Sequence, residues 1–302
     1  MILNKFIINL FFKIVIIILI IISFYYYFSS VNLICLCVVG KEENAYVKEY
    51  VNHYKKLGYQ KIFIYDNNDI NGEKFEDKIN EEIKSGFVSI INYRGYKGIQ
   101  FEAYYNCYKN NYKKFKWLSF FDFDEFLELN PRNKTIQQFL NNKKFDNCQN
   151  IKVNWLIFTD NNLINYENKP IQERFTSSLN ISKVIKSIVR GNLNINYWEK
   201  AQNVHSSYYG FKSCYASGKP ILSNSCNTRT TEYAESEYAI LKHYNTKSLD
   251  EYINKILKGR ANSFAYGTDY IKSLLTHFFK INKKTKQKLE YIKNRLNISF
   301  QI

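Results

Sequence analysis

Four short β-rich apolar runs alternate with helical patterns between residues 31 and 121, and that alternation leaves few folds open. Residues 31–39 (VNLICLCVV) form the first run, which stops at Gly40-Lys41-Glu42-Glu43-Asn44. Val47, Val51, Tyr54 and Leu57 then share one face of a helix expected over residues 45–57, and Gly58 ends it. KIFIY at 61–65, GFVSIIN at 86–92 and WLSFF at 117–121 predict three more strands, with helices over 75–83 and 100–112 between them. The β-α-β-α-β-α-β order with short connections predicts an α/β fold with a mostly parallel sheet and helices on both faces. Ligands of such sheets sit beyond the carboxyl ends of the strands. The polar clusters fall there, at 41–44, 66–69, 94–100 and 122–125.

The last cluster carries the sharpest chemistry. The strand at 117–121 runs straight into Asp122-Phe123-Asp124-Glu125 and the chain turns apolar again at Phe126-Leu127. Carboxylates at the end of a buried strand are costly unless something compensates them. Two Asp at i and i+2 on a turn can aim oxygens at one Mn²⁺ or Mg²⁺, whose open positions can take phosphate oxygens. A solvated acidic turn would carry the same residues, so the motif draws its weight from its context.

That context resembles a GT-A-fold glycosyltransferase, closest to glycosyltransferase family 92 and its family-2-like relatives. The resemblance is carried by GKEENAYVKEYVNHYKKLGYQKIFIYDNND at 40–69, IQFEAYYNCY at 99–108 and WLSFFDFDEFLEL at 117–129. It continues in VNWLIF at 153–158, QERF at 172–175, KSIVR at 186–190 and LKHYNTKSLDEYINKILKGRA at 241–261. These blocks run in family order over most of residues 33–261. They imply a GT-A, Rossmann-like fold and a metal-dependent, inverting transfer of a sugar from a nucleotide-sugar donor. The donor is expected to be a UDP-sugar, with UDP-galactose as one candidate, and the acceptor a hydroxyl of a glycan, glycoprotein or glycolipid. The implied cofactor is Mn²⁺ or Mg²⁺.

The resemblance also assigns residues. Asp124 is the expected principal metal ligand, Asp122 holds the metal's water shell or the ribose, and His243 completes the metal shell or touches the diphosphate. Lys41, Glu43, Asn44, Asp66, Arg94, Gln100 and Lys247 are expected to bind the nucleotide sugar. Plainer roles compete with these. Asp66 can close an Asx-turn, residues 41–44 can begin a helix in the ordinary way, and His243 can be a buried structural histidine. Ser248 can cap a helix over 249–257 with Glu251 at the capping-box position. Lys186 and Arg190 are candidate phosphate or acceptor contacts, and His205 is a weaker alternative to His243. An inverting enzyme needs a carboxylate to deprotonate the acceptor hydroxyl. Glu173 is favoured, with Asp160 as the alternative and Glu235 and Glu237 behind them. The competing function is a membrane-anchored binding or scaffold protein that keeps the fold without turnover.

The formal net charge of +16 invites a nucleic-acid reading. The lysines are spread over every segment, however, so no nucleic-acid partner is expected, and the charge suits attraction of anionic nucleotide sugars. Residues 6–28 (FIINLFFKIVIIILIIISFYYYF) are nearly all apolar. As a helix they span about 35 Å, enough to cross a bilayer. Lys13 near one end can snorkel, and Tyr25 to Tyr27 suit the interface at the other. Lys5 precedes the run and no basic residue follows until Lys41, so the expected topology is single-pass type II with a lumenal Golgi or ER domain. A cleaved signal peptide is disfavoured because YYYFSS is a poor cleavage site. The expected organisation is a cytosolic stub and anchor at 1–30, a GT-A-like domain at 31–265, and Lys-rich helices packing on it at 266–302. The six cysteines show no metal-ligand spacing and no evident framework. Cys35 and Cys37 should point to opposite faces of their strand, Cys214 and Cys226 could close a loop, and buried free thiols are the alternative.

Overall fold

Residues 33–120 fold as the alternating pattern predicts. β1 (Ile34–Gly40), β2 (Lys61–Asp66), β3 (Val88–Asn92) and β4 (Trp117–Phe120) alternate with α2 (Val47–Lys56), α3 (Glu76–Lys84) and α4 (Gln100–Asn111). The structure, a computed structural model, describes residues 11–22, 33–130, 134–193, 211–221, 229–258 and 268–297. β1 pairs in parallel with β2 on one side and β4 on the other, and β2 pairs in parallel with β3. Gly40 lies opposite Asp66, and Asp66 opposite Asn92, so these carboxyl ends are flush. Period-two alternation sorts the side chains of β1. Ile34, Leu36 and Val38 enter the core under α2 and α3, whereas Cys35 and Cys37 both enter the core under α4, which corrects the expectation of opposite faces, since residues two apart on a strand point the same way. Val47, Tyr50, Val51 and Tyr54 form the buried face of α2, at helical spacing.

The second half departs from the expected mostly parallel sheet. β5 (Glu125–Leu129), β6 (Asn150–Phe158), β7 (Ser178–Arg190), β8 (Ser213–Tyr215) and β9 (Ala239–His243) complete a nine-stranded mixed sheet ordered β3-β2-β1-β4-β7-β6-β9-β5, with β8 beside β6. β7 runs antiparallel to both β4 and β6, and β5 runs antiparallel to β9. The reversal has a local cause. β5 begins directly at the acidic turn and leads away to the far edge, so the place beside β4 goes to a returning strand.

These registers position the site. Phe120 lies opposite Ser187, which carries Lys186 to the acidic turn just past β4. Glu125 lies opposite His243, which sets the histidine beside Asp124. α5 (Ile136–Leu140) and α6 (Ile171–Arg174) are short connections, and α7 (Leu249–Leu257) follows β9. The predicted capping box of α7 is present, with the Ser248 hydroxyl accepting from the Glu251 N–H. α8 (Thr268–Ile281) and α9 (Lys286–Leu296) pack on α7 through Leu274, Leu275, Phe278 and Ile292.

Two findings correct the reading of the cysteines. Cys37 is bonded to Cys107 and Cys148 to Cys214, while Cys35 is a buried free thiol. Cys214 thus has a partner other than Cys226, which lies outside the described residues. Residues 11–22 form a helix, α1, whose apolar side chains are exposed, from Phe11 at 65% to Ile22 at 45%. Among the described residues no helix is long and apolar enough to cross a membrane. The remainder of the expected span at 6–28 lies outside them.

Candidate functional site

The acidic turn is closed by its own third carboxylate. Glu125 Oε2 accepts from the Asp122 N–H at 2.8 Å, and the Glu125 N–H donates to the Asp122 carbonyl at 3.0 Å. Phe123, between the two Asp, packs its ring across Gly40, where a side chain would collide with it. Asp122 turns towards α4 and β7. Its Oδ1 accepts from Gln100 Nε2 and from the Tyr104 hydroxyl, both at 2.9 Å, and its Oδ2 accepts from Lys186 Nζ at 2.8 Å. Lys186 is fully buried and also stands 3.6 Å from Glu125. Burial alone would push its pKa down, but Asp122 and Glu125 outweigh that and hold it above the usual value. Burial pushes the Glu125 carboxyl well above the usual range, against the opposing pull of Lys186.

Asp124 faces the other way. Its Oδ1 lies 3.5 Å from His243 Nε2 and its Oδ2 accepts from Lys255 Nζ at 2.8 Å. Burial opposes ionisation here, yet Lys255 and His243 more than offset it and hold the carboxyl well below its usual range. His243 stacks on Trp155 with ring centroids 4.1 Å apart, and its buried Nδ1 has no hydrogen-bond partner among the described residues. Asp124 Oδ1 and His243 Nε2 therefore present two donors at close to the ~3 Å edge of a six-coordinate shell around a small dication. Among the described residues no third His, Cys, Asp or Glu joins them. Two protein donors still suit an ion that takes its remaining ligands from phosphate and water. Asp122, the other expected ligand, has its oxygens engaged by Gln100, Tyr104 and Lys186 and does not join this edge.

The remaining expected donor contacts divide. Lys247 is buried, and its ammonium stands 4.1 Å over the Tyr46 ring. Burial pushes its pKa down. Gln100 reaches Asp122 as described. Glu43 is held by Lys258 at 2.9 Å, and Lys41 pairs with Asp69 at 2.8 Å. The Asn44 N–H donates to Glu73 and its side-chain amide to the Lys74 carbonyl, which ties the loop after β1 to the start of α3. Asp66 takes its plainer role: Oδ1 accepts from the Asn68 N–H and side-chain amide, and Oδ2 accepts from Arg94 at 2.6 Å. Arg94 also donates to the carbonyls of Asp69, Gly72 and Glu73, so the pair organises the loop between β2 and α3.

Of the candidate bases, Asp160 is buried and paired with Lys288 on α9, and its backbone N–H donates to Asn282. That is a structural anchor for the C-terminal helices. Glu173 is exposed on α6, while its neighbour Arg174 points inward to Glu251 at 2.6 and 3.0 Å. Glu235 accepts from the Ser217 N–H, away from the acidic turn, and the Glu237 carbonyl accepts from Asn130. Arg190 donates to the carbonyls of Cys148 and Phe145 and covers Trp117, a packing role. His205 lies outside the described residues. Sequence reasoning missed Tyr104, Lys255 and Lys258. The lysines carried a readable signal, since Glu251, Lys255 and Lys258 share one helical stripe at i, i+4 and i+7.

The model of the family described as "Glycosyltransferase family 92" matches residues 32–295. A family 92 protein of Oryza sativa subsp. japonica is 28% identical over 109 residues, 36% of this chain and 18% of that protein. One of Ricinus communis is 30% identical over 102 residues, 33% of this chain and 17% of that protein. The matched segment thus spans less than a fifth of either plant relative. Among solved structures, S. aureus TarS 1–349 in complex with UDP-GlcNAc is similar at a TM-score of 0.39 and 12% identity, over 88% of this chain and 73% of that one. The mannosyltransferase PcManGT of Pyrobaculum calidifontis, in complex with GDP-Man and Mn2+, matches at 0.27 and 8%, over 40% of this chain and 34% of that one.

Proposed function

The chain belongs to glycosyltransferase family 92, and from that premise we propose that it transfers a sugar, with inversion, from a nucleotide-sugar donor to a hydroxyl of a glycan, glycoprotein or glycolipid. The observation that carries this reading is the Asp124–His243 edge at the carboxyl end of the parallel strands. Asp124 and His243 would hold Mn²⁺ or Mg²⁺, which neutralises charge on the departing diphosphate when bound. Asp122 is fixed by Gln100, Tyr104 and Lys186, so its remaining exposed surface can orient a ribose or water without moving. Lys247 brings a positive charge towards the same place. Glu173, exposed beside the inward-facing Arg174, is the proposed base that takes the acceptor's proton. A UDP-sugar is the favoured donor, with UDP-galactose as one candidate.

The exposed apolar side chains of α1 support a membrane anchor, and two disulfides suit an oxidising lumen such as the ER or Golgi. Protein that alkaline carbonate extracts freely from membranes would contradict the anchor. The reaction itself is tested by incubating the full chain in detergent with a panel of UDP- and GDP-sugars and Mn²⁺. Release of nucleoside diphosphate from one donor, lost on chelation, is expected. Donor binding without release of diphosphate from any of them would favour the binding-protein reading.

A further inference from the structure

The lysines that the sequence spreads over every segment are sorted by the fold. β1, β2 and β4 start at one end of the sheet, where the Lys116 N–H donates to the Leu33 carbonyl and the Gln60 N–H to the Ile34 carbonyl. α2, α3 and α4 return their last turns to this end. The turn Lys143–Phe145 joins them through Arg190, which lies opposite Trp117 and donates to the Phe145 carbonyl. Lys56, Lys61, Lys84, Lys113, Lys114 and Lys143 stand around this amino end, all exposed except the half-buried Lys61.

Among the described residues none of these lysines makes an ion pair. The cations at the carboxyl end are paired instead, Lys41 with Asp69, Arg94 with Asp66 and Lys258 with Glu43. Lysine in a last helical turn has an ordinary cause, the negative end of the helix dipole, and that covers Lys56 and Lys84. It does not cover Lys113 and Lys114 in the turn between α4 and β4, Lys61 at the start of β2, or Lys143. Half-buried rings lie among them. The Lys113 ammonium stands 5.6 Å from the centre of the Tyr112 ring, and that of Lys61 stands 5.6 Å from Phe63. Unpaired lysines among half-buried aromatic rings suit the headgroup level of a bilayer, where ammonium groups meet lipid phosphate and rings sit at the interface. The proposed anchor leaves from the same end. Its apolar run stops at Phe28, and the chain from there to Ile34 can span no more than about 20 Å.

We propose that this amino-end face docks on the anionic phospholipid headgroups of the bilayer that holds the anchor. The inference rests on the anchor reading above and adds how the domain stands on the membrane. Docked so, the acidic turn at the carboxyl end of β4 faces away from the bilayer, about 20 Å above it, one length of β1. An acceptor hydroxyl must then stand clear of the headgroups to reach it.

The test is lysine acylation by a water-soluble N-hydroxysuccinimide acetate, read by mass spectrometry. It uses the full chain in nanodiscs of phosphatidylcholine alone or with about a third phosphatidylglycerol. Lys84, Lys113 and Lys114 should be acylated at least about fivefold more slowly on the anionic discs. Salt at about 1 M should abolish the difference, because the screening length falls to about 3 Å. Lys283 and Lys293, before and on α9, should label equally on both discs, since Lys288 ties that helix to Asp160 at the carboxyl end of β6. The triple variant Lys84→Gln, Lys113→Gln, Lys114→Gln changes exposed side chains only, so its melting temperature should match the parent. A lysine near an anionic surface is worth about fivefold in a binding equilibrium, so losing three weakens docking about a hundredfold. The triple variant should therefore lose the protection of Lys56 and Lys143, whereas Lys283→Gln with Lys293→Gln should keep it. Equal acylation on neutral and anionic discs, or equal slowing of Lys283 and Lys293, overturns the assignment. Slowing by an added oligonucleotide on neutral discs, without slowing on anionic discs, also overturns it and gives the face to a nucleic acid. Extraction from cell membranes by alkaline carbonate is scored separately. A retained chain without lipid-dependent protection loses this face and keeps the anchor, whereas protection in a chain that carbonate extracts does the reverse.

Discussion

Replacing Lys186 by Met isolates the electrostatics that hold the acidic turn. The side chain is fully buried between Asp122 and Glu125, and Met keeps most of its apolar stem. What goes is the countercharge. Breaking a fully buried ion pair costs about 3–5 kcal/mol. The Asp122 side chain is 30% exposed, so water returns part of that. The expected loss is about 2–4 kcal/mol. For a chain of this size that lowers the melting temperature by roughly 4–16 °C. Thermal and urea unfolding of Lys186→Met, Asp122→Asn and the double variant measure it. Asp122→Asn removes the stranded anion, so the double variant should recover at least about 1.5 kcal/mol relative to the sum of the single losses. A single-variant loss under about 1 kcal/mol, or strict additivity, would refute the view that Lys186 is the buried counter-ion of the turn.

Other outcomes follow from the same geometry. Burial pushes His53 down to about 4, against the hydrogen bond its Nε2 makes to the Leu127 carbonyl. The folded protein then binds fewer protons than the unfolded chain between about pH 6.5 and 4, so up to about 3 kcal/mol present above that window is lost as pH falls through it. His53→Gln should flatten this acid limb, and an unchanged limb would contradict it. The Cys37–Cys107 bond joins residues 70 apart in sequence. Replacing both by Ser should cost about 4 kcal/mol in denaturant titration, and no change in midpoint would deny the bond a stabilising role. Glu173→Gln should lower turnover by about two orders of magnitude or more with nucleotide-sugar affinity near normal, because only the acceptor hydroxyl loses its partner. Near-parental turnover would remove Glu173 as the base.

The parallel half of the sheet was legible because strand and helix periods alternate cleanly there. β2, predicted at 61–65, is found at Lys61–Asp66, and α4, predicted at 100–112, at Gln100–Asn111. The Ser248–Glu251 capping box was legible because both partners lie within one helical turn. Partnerships across long stretches were not. Lys186 reads in sequence as a candidate phosphate or acceptor contact, and only the antiparallel register of β7 on β4 turns it inward to Asp122, 64 residues away. Cys107 meets Cys37 because α4 lies over that face of β1, which no cysteine spacing encodes. Strand direction failed for the same reason. Nothing in the composition of residues 178–190 says whether that strand meets β4 head to head or head to tail. Asp66 illustrates the competition between roles: an Asp at a strand end suits a ribose or an Asx-turn equally, and Arg94 and Asn68 decide for the turn.

The central claim is that Asp124 is the carboxylate through which the site holds a dication and, with it, a nucleoside diphosphate. Asp124→Asn keeps nearly the same shape and removes the anionic oxygen that Lys255 and His243 now flank. The direct measurement is the melting temperature of parent and variant with and without Mn²⁺ plus UDP or GDP. Ligand at a hundred times its Kd stabilises by about 2.7 kcal/mol. The account predicts that Mn²⁺ added to nucleotide raises the melting temperature of the parent by several degrees over nucleotide alone and adds nothing in Asp124→Asn. Equal protection of both proteins would contradict it.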